Sequence, residues 1–237
     1  MCGRYRLTAK ERWLSEYFQI PAEDIEWAAR WNIAPTDEVA IVRQDRNEPK
    51  RKFFKMRWGL IPYWAKDASI GVKAINAVSE TAAKKPLFRE SLKRRRCLVP
   101  ADGFYEWKQI GPKKKQAYNI GMKDGGLFAF AGLWDRWKDP TGKAVESCTI
   151  LTTEANSLLK DIHDRMPVIL NPDDYDLWLD PGVTDPAQVA DLLKPFDSRQ
   201  MRVYPVSSAV NSVKNEGPNC AEEITVEDDD LAQRNLF

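Results

Sequence analysis

The chain opens Met1-Cys2-Gly3-Arg4, and Cys2 carries the most distinctive chemistry available to it. Cys is small enough for the initiator Met to be removed by the usual aminopeptidase. Removal would leave an amine and a thiol on adjacent carbons of one residue. Such an aminothiol condenses with aldehydes: the amine forms a Schiff base, and the thiol adds to the imine and closes a thiazolidine ring. An α-amine titrates at about 7.7–8.0, so an appreciable fraction is nucleophilic at neutral pH. Ring closure is intramolecular and therefore entropically favoured. Gly3 lets backbone and substrate approach closely. The plain alternative is that Cys2 is an early residue of a packed first strand.

Proton transfer needs partners. His163, in His163-Asp164-Arg165-Met166-Pro167, is the only His in the chain and the one side chain that ordinarily titrates near neutrality. Asp164 or Arg165 could orient it. Glu106 lies between Tyr105 and Trp107 in Phe104-Tyr105-Glu106-Trp107-Lys108. Strand alternation puts Phe104, Glu106 and Lys108 on one face and Tyr105 and Trp107 on the other. A carboxylate beside apolar rings can be raised into the range of an acid or base; an ordinary surface Glu on an edge strand is the other reading. Asn76, in Ile75-Asn76-Ala77-Val78-Ser79, offers an amide to a sugar hydroxyl or phosphate, or a cap to the helix that follows. Trp58-Gly59-Leu60-Ile61-Pro62-Tyr63-Trp64 holds rings that stack on bases of a single strand or fill a core. Asn32-Ile33-Ala34-Pro35-Thr36 reads as a turn.

These residues need a scaffold. The chain has 237 residues, 43% of them hydrophobic, enough for one compact domain with a sizeable core. Lys plus Arg number 36 against 35 Asp plus Glu, which argues against coating duplex DNA by charge alone. The charges are uneven. Lys84, Lys85, Arg89, Lys93, Arg94, Arg95 and Arg96 cluster against Glu90, and an acidic segment occupies roughly 222–237. Solvated surface accounts for either run. None of Cys2, Cys97, Cys148 and Cys220 sits in a Cys-x-x-Cys pair, so no zinc site is expected, and condensation of an aminothiol with an aldehyde needs no metal or organic cofactor. The start lacks a signal-peptide core, and no apolar run is long enough to span a membrane. The expected location is cytoplasmic, with reduced thiols.

Trp13, Leu14, Tyr17 and Phe18 predict a helix over 9–18, with Thr8 as N-cap. Apolar runs predict strands at 38–43, 53–60, 97–101, 103–108, 117–121, 127–133, 146–152 and 201–206. Helical patterns recur near 79–94, 154–160, 172–179 and 186–194, with Pro172 and Pro186 suited to first turns. Closely spaced strands and turn-like breaks favour an α+β fold rich in antiparallel pairing over alternating βαβ units.

In this order the landmarks are specific. MCGRY at 1–5, NIAP at 32–35, WGLIPYW at 58–64, INAVSET at 75–81, CLVPADGFYEWK at 97–108, HDRMPVIL at 163–170 and the late Val206-Ser207, Val210-Asn211, Pro218 and Cys220 span nearly the whole chain. Together the chain resembles the SOS-response-associated peptidase family, whose members process abasic sites in DNA. The resemblance implies a single α+β domain around a β-rich, barrel-like core, with a positively charged channel for single-stranded DNA. It implies Cys2 as the nucleophile that forms a thiazolidine with the ring-opened abasic sugar. It implies Asn76 as the residue that positions that sugar, Glu106 as the acid/base at the Schiff base, and His163 as a proton-transfer residue. Arg4 would contact a DNA phosphate. Trp64 is expected to support flanking bases, and Lys85 and Arg89 to hold phosphates.

The expected reaction is a covalent crosslink between Cys2 and abasic sites in single-stranded DNA, by a monomer associated with the nucleoid when acting on DNA. Strand cleavage by β-elimination is the side reaction that ring closure suppresses. The family is also linked to self-removal of the initiator Met. Two rival readings are a thiol peptidase using Cys2 and His163, and a non-covalent reader of single-stranded DNA. One departure stands out: family members commonly carry Arg where this chain has Val78, and an apolar side chain cannot bind phosphate.

Overall fold

A computed structural model describes residues 2–44, 48 and 50–225. In chain order the strands are β1 Tyr5–Leu7, β2 Arg30–Ile33, β3 Glu38–Gln44, β4 Arg51–Trp58, β5 Asn76–Val78, β6 Arg96–Ala101 and β7 Gly103–Gln109. They continue with β8 Lys115–Met122, β9 Phe128–Lys138, β10 Ala144–Glu154, β11 Arg165–Pro167, β12 Ile169–Leu170 and β13 Met201–Pro205. The α-helices are short: α1 Glu11–Phe18, α2 Ser79–Ala82, α3 Arg89–Arg94 and α4 Tyr175–Leu179.

Strands β10, β4, β3, β6 and β9 follow one another in hydrogen-bonded order, and β9 returns to pair with β10. That return closes a five-stranded barrel and removes its sheet edges. β5 and β11 add to β10, and β12 adds to β9. A second sheet, in the order β13-β8-β7-β1-β2, lies against it. This is the expected α+β fold around a β-rich barrel. Pairing is antiparallel except that β10 runs parallel to β4 and β5.

The two sheets share one apolar core. Tyr5 of β1 meets the barrel residues Trp58 and Phe130 edge-on, with ring centroids 5.4 and 5.8 Å away. Phe104 of β7 meets Phe130 likewise at 5.8 Å. Such edge-to-face pairs contribute about 0.5–1.5 kcal/mol each beyond area burial. β1 is locked at its far end by Asp102, which accepts from the Thr8 N–H and hydroxyl, both at 2.7 Å, and pairs with Arg6 at 2.9 Å. Thr8 therefore serves that carboxylate, and the N-cap of α1 is Lys10, without a side-chain bond.

The predicted strands are present with ends moved by a few residues. The helical pattern over 79–94 is two short helices, α2 and α3. Pro86 lies between them, where its missing N–H and its ring prevent a continuous helix. Residues 155–162 form turns after β10. There the Asn156 side chain accepts from the Leu158 and Leu159 N–H groups at 3.1 and 3.2 Å and donates to the Phe196 carbonyl at 2.8 Å. A side chain that satisfies its own local backbone competes with helix formation. Pro172 and Pro186 do start helical turns, of the 3-10 type. Most of the acidic segment at 222–237, and Met1, lie outside the described residues. No helix among the described residues is long and apolar enough to cross a membrane.

Candidate active site

Cys2 precedes β1, which lies between β7 and β2. The Tyr5–Phe104 pairing, and the Tyr105 N–H bonded to the Arg4 carbonyl at 2.9 Å, run the first residues antiparallel to β7. Extending that register brings Cys2 alongside the Glu106 end of β7. Cys2 has no exposed surface, and its sulfur lies 3.9 Å from the Arg4 carbonyl. Burial pushes its thiol well above the ordinary range, and the negative charge of Glu106 adds to the effect. The thiol is therefore protonated at neutral pH and needs a base to react.

Glu106 is 4% exposed. It is on an interior strand of its sheet, between β8 and β1, and is no edge-strand surface residue. The alternation holds. Phe104 joins the main core, while Tyr105 and Trp107 belong to a second apolar cluster with Val206, Val210 and Cys220. Burial raises the Glu106 carboxyl to about 7. It is thus poised between acid and base at neutral pH.

His163 follows the turns after β10. Burial lowers its titration below the ordinary histidine value, with Asp164 acting in the opposite direction. The Arg165 N–H donates to His163 Nδ1 at 2.9 Å, which fixes the neutral tautomer with its proton on Nε2. Asp164 Oδ1 approaches the same Nδ1 at 2.8 Å, but its side chain is 87% exposed. That contact becomes an ion pair only when the ring is protonated. The fields of Asp164 and Lys115 reach Glu106, and both also act on His163. Cys2, Glu106 and His163 are therefore linked through overlapping fields.

Asn76 stands on β5, which adds to barrel strand β10. It pairs in register with Ile150 of β10, and Val78 with Thr152. Trp58 pins the approach by donating its indole N–H to the Ile75 carbonyl at 2.9 Å. Asn76 Nδ2 donates to the same carbonyl at 3.0 Å, while Oδ1 is buried with no hydrogen-bond partner among the described residues. The helix that follows is capped by Val78 without a side-chain bond, so Asn76 is not its cap. Thr152 Oγ1, on the register partner of Val78, is a further buried oxygen without a hydrogen-bond partner among the described residues. Sequence reading passed Thr152 over because nothing marks one Thr within a β-branched strand.

The remaining predicted residues are spread more widely. Arg4 donates through one nitrogen to Asn32 Oδ1 and to the Val210 carbonyl, both at 2.8 Å, and its guanidinium lies 5.7 Å from the Trp107 ring. It clamps the 207–215 segment onto β1 and β2. Asn32 completes the clamp by donating to the Ser212 and Asn215 carbonyls at 2.9 Å. NIAP is thus more than a turn, since Asn32 and Ile33 end β2. Trp64 is 47% exposed and its neighbour Tyr63 56%, on the loop leaving β4. That loop is closed at its base by Gly59 at φ +125°, where any Cβ would lie 2.6 Å from the Gly71 carbonyl oxygen. Lys85 is exposed between α2 and α3 and Arg89 is exposed at the start of α3, and neither shares a described contact with the Cys2–Glu106–His163 group. Of the basic run, Arg96 is buried against the Trp178 and Asp180 carbonyls and Arg95 pairs with Asp135, so both are used internally. A groove of about 810 Å³ lined by Trp13, Tyr17, Met122, Leu127 and Phe196 contains none of the candidate residues.

Known proteins resemble this chain over most of its length. The family model described as SOS response associated peptidase (SRAP) matches residues 1–213. The chain is 45% identical over 224 residues to abasic site processing protein YoqW of Bacillus subtilis (strain 168), covering 94% of this chain and 99% of that protein. It is 33% identical over 207 residues to abasic site processing protein HMCES of Rattus norvegicus, covering 75% of this chain and 58% of that longer protein. A crystal structure of a protein from Bacteroides thetaiotaomicron superposes with a TM-score of 0.80 at 28% identity, over 94% of this chain and all of that one. The chain belongs to the SOS response associated peptidase (SRAP) family.

Proposed function

We propose that this protein processes abasic sites in single-stranded DNA by forming a thiazolidine between Cys2 and the ring-opened sugar. The observation that carries the reading is the buried carboxyl of Glu106, raised to about 7, acting on the Cys2 thiol. The names of the relatives support the same substrate.

The chemistry begins with the Cys2 amine, exposed once Met1 is removed. The amine nitrogen attacks the C1′ aldehyde carbon, and a proton moves to the oxygen to give a carbinolamine. Protonated Glu106 donates to that hydroxyl, water leaves and the imine forms. The resulting carboxylate is the base the buried thiol needs. The product of water loss is the protonated imine, so Glu106 takes the thiol proton as sulfur adds to C1′ and the nitrogen, keeping its own proton, becomes the neutral secondary amine of the ring. Neutral His163 presents Nε2–H as a second proton relay. Asn76 Oδ1 and Thr152 Oγ1 are buried oxygens for the sugar hydroxyls, whose pairing would relieve the cost of leaving them unmade. Arg4, Trp64, Lys85 and Arg89 are the flanking contacts of this reading, with Trp64 the one ring among them.

Met-processed protein mixed with single-stranded DNA carrying one abasic site, resolved on a denaturing gel, tests the proposal. A shifted band that requires both the abasic site and Cys2 supports it. Activity that survives Cys2→Ala would favour the non-covalent reader, and peptide cleavage without any aldehyde would favour the thiol peptidase.

A further inference from the structure

Two neighbours of His163 Nδ1 make opposite demands on it. The Arg165 backbone N–H, at 2.9 Å, needs a lone pair there. The Asp164 carboxylate, at 2.8 Å, needs a proton there. A neutral ring that accepts from Arg165 carries its proton on Nε2, whereas a ring that turns to Asp164 carries one on Nδ1. The neighbour held more firmly decides what Nε2 presents to a reacting group.

Asp164 is held weakly, because its side chain is 87% exposed and water competes for its oxygens. Arg165 is anchored by its own side chain. The guanidinium meets the Glu80 carboxylate fork to fork, with both bonds at 2.8 Å, and donates to the Thr152 carbonyl at 2.7 Å. Thr152 pairs with Val78 of β5 and with Pro167 of β11, so β10 runs between those two strands. Glu80 is on α2, directly after β5, and Arg165 opens β11. The ion pair therefore straps α2 to β11 across β10. Arg165 is the first residue of a three-residue strand, where a ladder opens most easily. A side-chain anchor at that point keeps the backbone N–H on the ring. With 51% of the Glu80 side chain exposed, the pair adds little to global stability. Its bidentate geometry fixes direction instead.

We infer that Glu80 is a positioning residue: its grip on Arg165 holds that residue's backbone N–H on His163 Nδ1 against the competing Asp164, so that the ring stays neutral with its proton on Nε2. This rests on the function proposed above, in which Nε2–H is the second proton relay. Glu80 touches neither the sugar nor the reacting atoms and acts only through Arg165.

The test compares the full-length Met-processed protein with Glu80→Gln, which keeps the shape of the side chain and loses the two-pronged carboxylate, and with Glu80→Gln combined with Asp164→Asn. His163 is the only His in the chain, so long-range proton–nitrogen NMR spectra read its tautomer without ambiguity. Single-turnover crosslinking of an abasic oligonucleotide reads the rate, and anisotropy on an intact single strand across a salt series reads affinity. The wild type should show a protonated Nε2 and a lone pair on Nδ1. Glu80→Gln should move the population toward a protonated Nδ1 and slow crosslinking by about tenfold, with affinity for the intact strand and the denaturation midpoint little changed. Removing the competing carboxylate by Asp164→Asn should return both spectrum and rate toward wild type. An unchanged imidazole spectrum in Glu80→Gln overturns the inference and leaves the Cys2 chemistry standing, and so does a rate loss that Asp164→Asn does not recover. A salt slope steeper by about 0.7 with the wild-type spectrum would mean that Glu80 only withholds Arg165 from phosphate, which also overturns it. No crosslink by the wild type on any abasic strand overturns the proposed reaction and this inference together.

Discussion

Arg165 grips Glu80 with two parallel hydrogen bonds, Nη1 to Oε1 and Nη2 to Oε2, each 2.8 Å long, while Nη2 also donates to the Thr152 carbonyl at 2.7 Å. Thr152 is the register partner of Val78. The apolar Val78 therefore adjoins an arginine already committed to a carboxylate. Restoring charge by Val78→Arg should strengthen binding to single-stranded DNA and steepen the salt slope by about 0.7. Anisotropy titrations at several salt concentrations check this. An unchanged slope would mean that residue 78 does not face the phosphates.

Arg4 is expected to matter for stability as much as for DNA. Its guanidinium satisfies Asn32 Oδ1 and the Val210 carbonyl at 2.8 Å each. Arg4→Ala leaves both without that donor in a largely buried setting, at a cost of about 1–3 kcal/mol. Urea denaturation should show the loss, and hydrogen exchange should show faster opening around 207–215. If stability is unchanged and only DNA affinity falls, the clamp is dispensable and Arg4 acts on phosphate.

Glu106 gives a signed pH prediction. Its carboxyl titrates near 7 in the folded chain and near 4.3 when unfolded. Between those values the folded state binds the extra proton, so stability contributed by protonated Glu106 is present below the unfolded value and is lost as pH rises through about 7. Glu106→Gln removes that dependence. The variant should be more stable than wild type at pH 8.5 by up to about 3 kcal/mol and nearly equal at pH 4. Denaturation midpoints at the two values check this, and equal differences at both would contradict the burial of a titrating acid.

The same group shapes the rate. Crosslinking needs a deprotonated Cys2 amine, at about 7.7–8.0, and a protonated Glu106. The initial rate should pass through a maximum between about 7 and 8 and fall on both sides. Glu106→Gln should slow the reaction by about 10²–10⁴-fold, measured as single-turnover crosslink formation against pH.

Much of this is legible in the sequence. Strands β3, β4 and β6 to β10 carry long apolar or β-branched runs, and their hydrophobic pattern fixes their faces. β1, β2, β5, β11 and β12 are two to four residues long and exist because a neighbour offers a ladder, which no local pattern records. Cys2, Glu106 and His163 were recognisable by chemistry and motif. Their proximity was not, since β1 reaches β7 only through tertiary pairing. Thr8 shows the limit most clearly: it has the right type and place for a cap, yet Asp102, 94 residues away, takes its hydroxyl.

Cys2→Ser separates the two steps of the proposed reaction. The amine remains, so an imine still forms and borohydride reduction should trap it. A hydroxyl is a far weaker nucleophile toward the imine than a thiol. Without reduction the stable crosslink should therefore fall sharply while strand cleavage by β-elimination rises. A heat-stable crosslink at wild-type yield from the Ser variant would remove the thiol from the account.

The most direct measurement is mass spectrometry of the digested crosslink. The sugar remnant is expected on the N-terminal peptide beginning at Cys2, with the mass of the aldehyde adduct less one water and the thiol unreactive toward iodoacetamide. A remnant on any lysine, or on Cys2 with its thiol still alkylatable, would contradict thiazolidine formation at this residue.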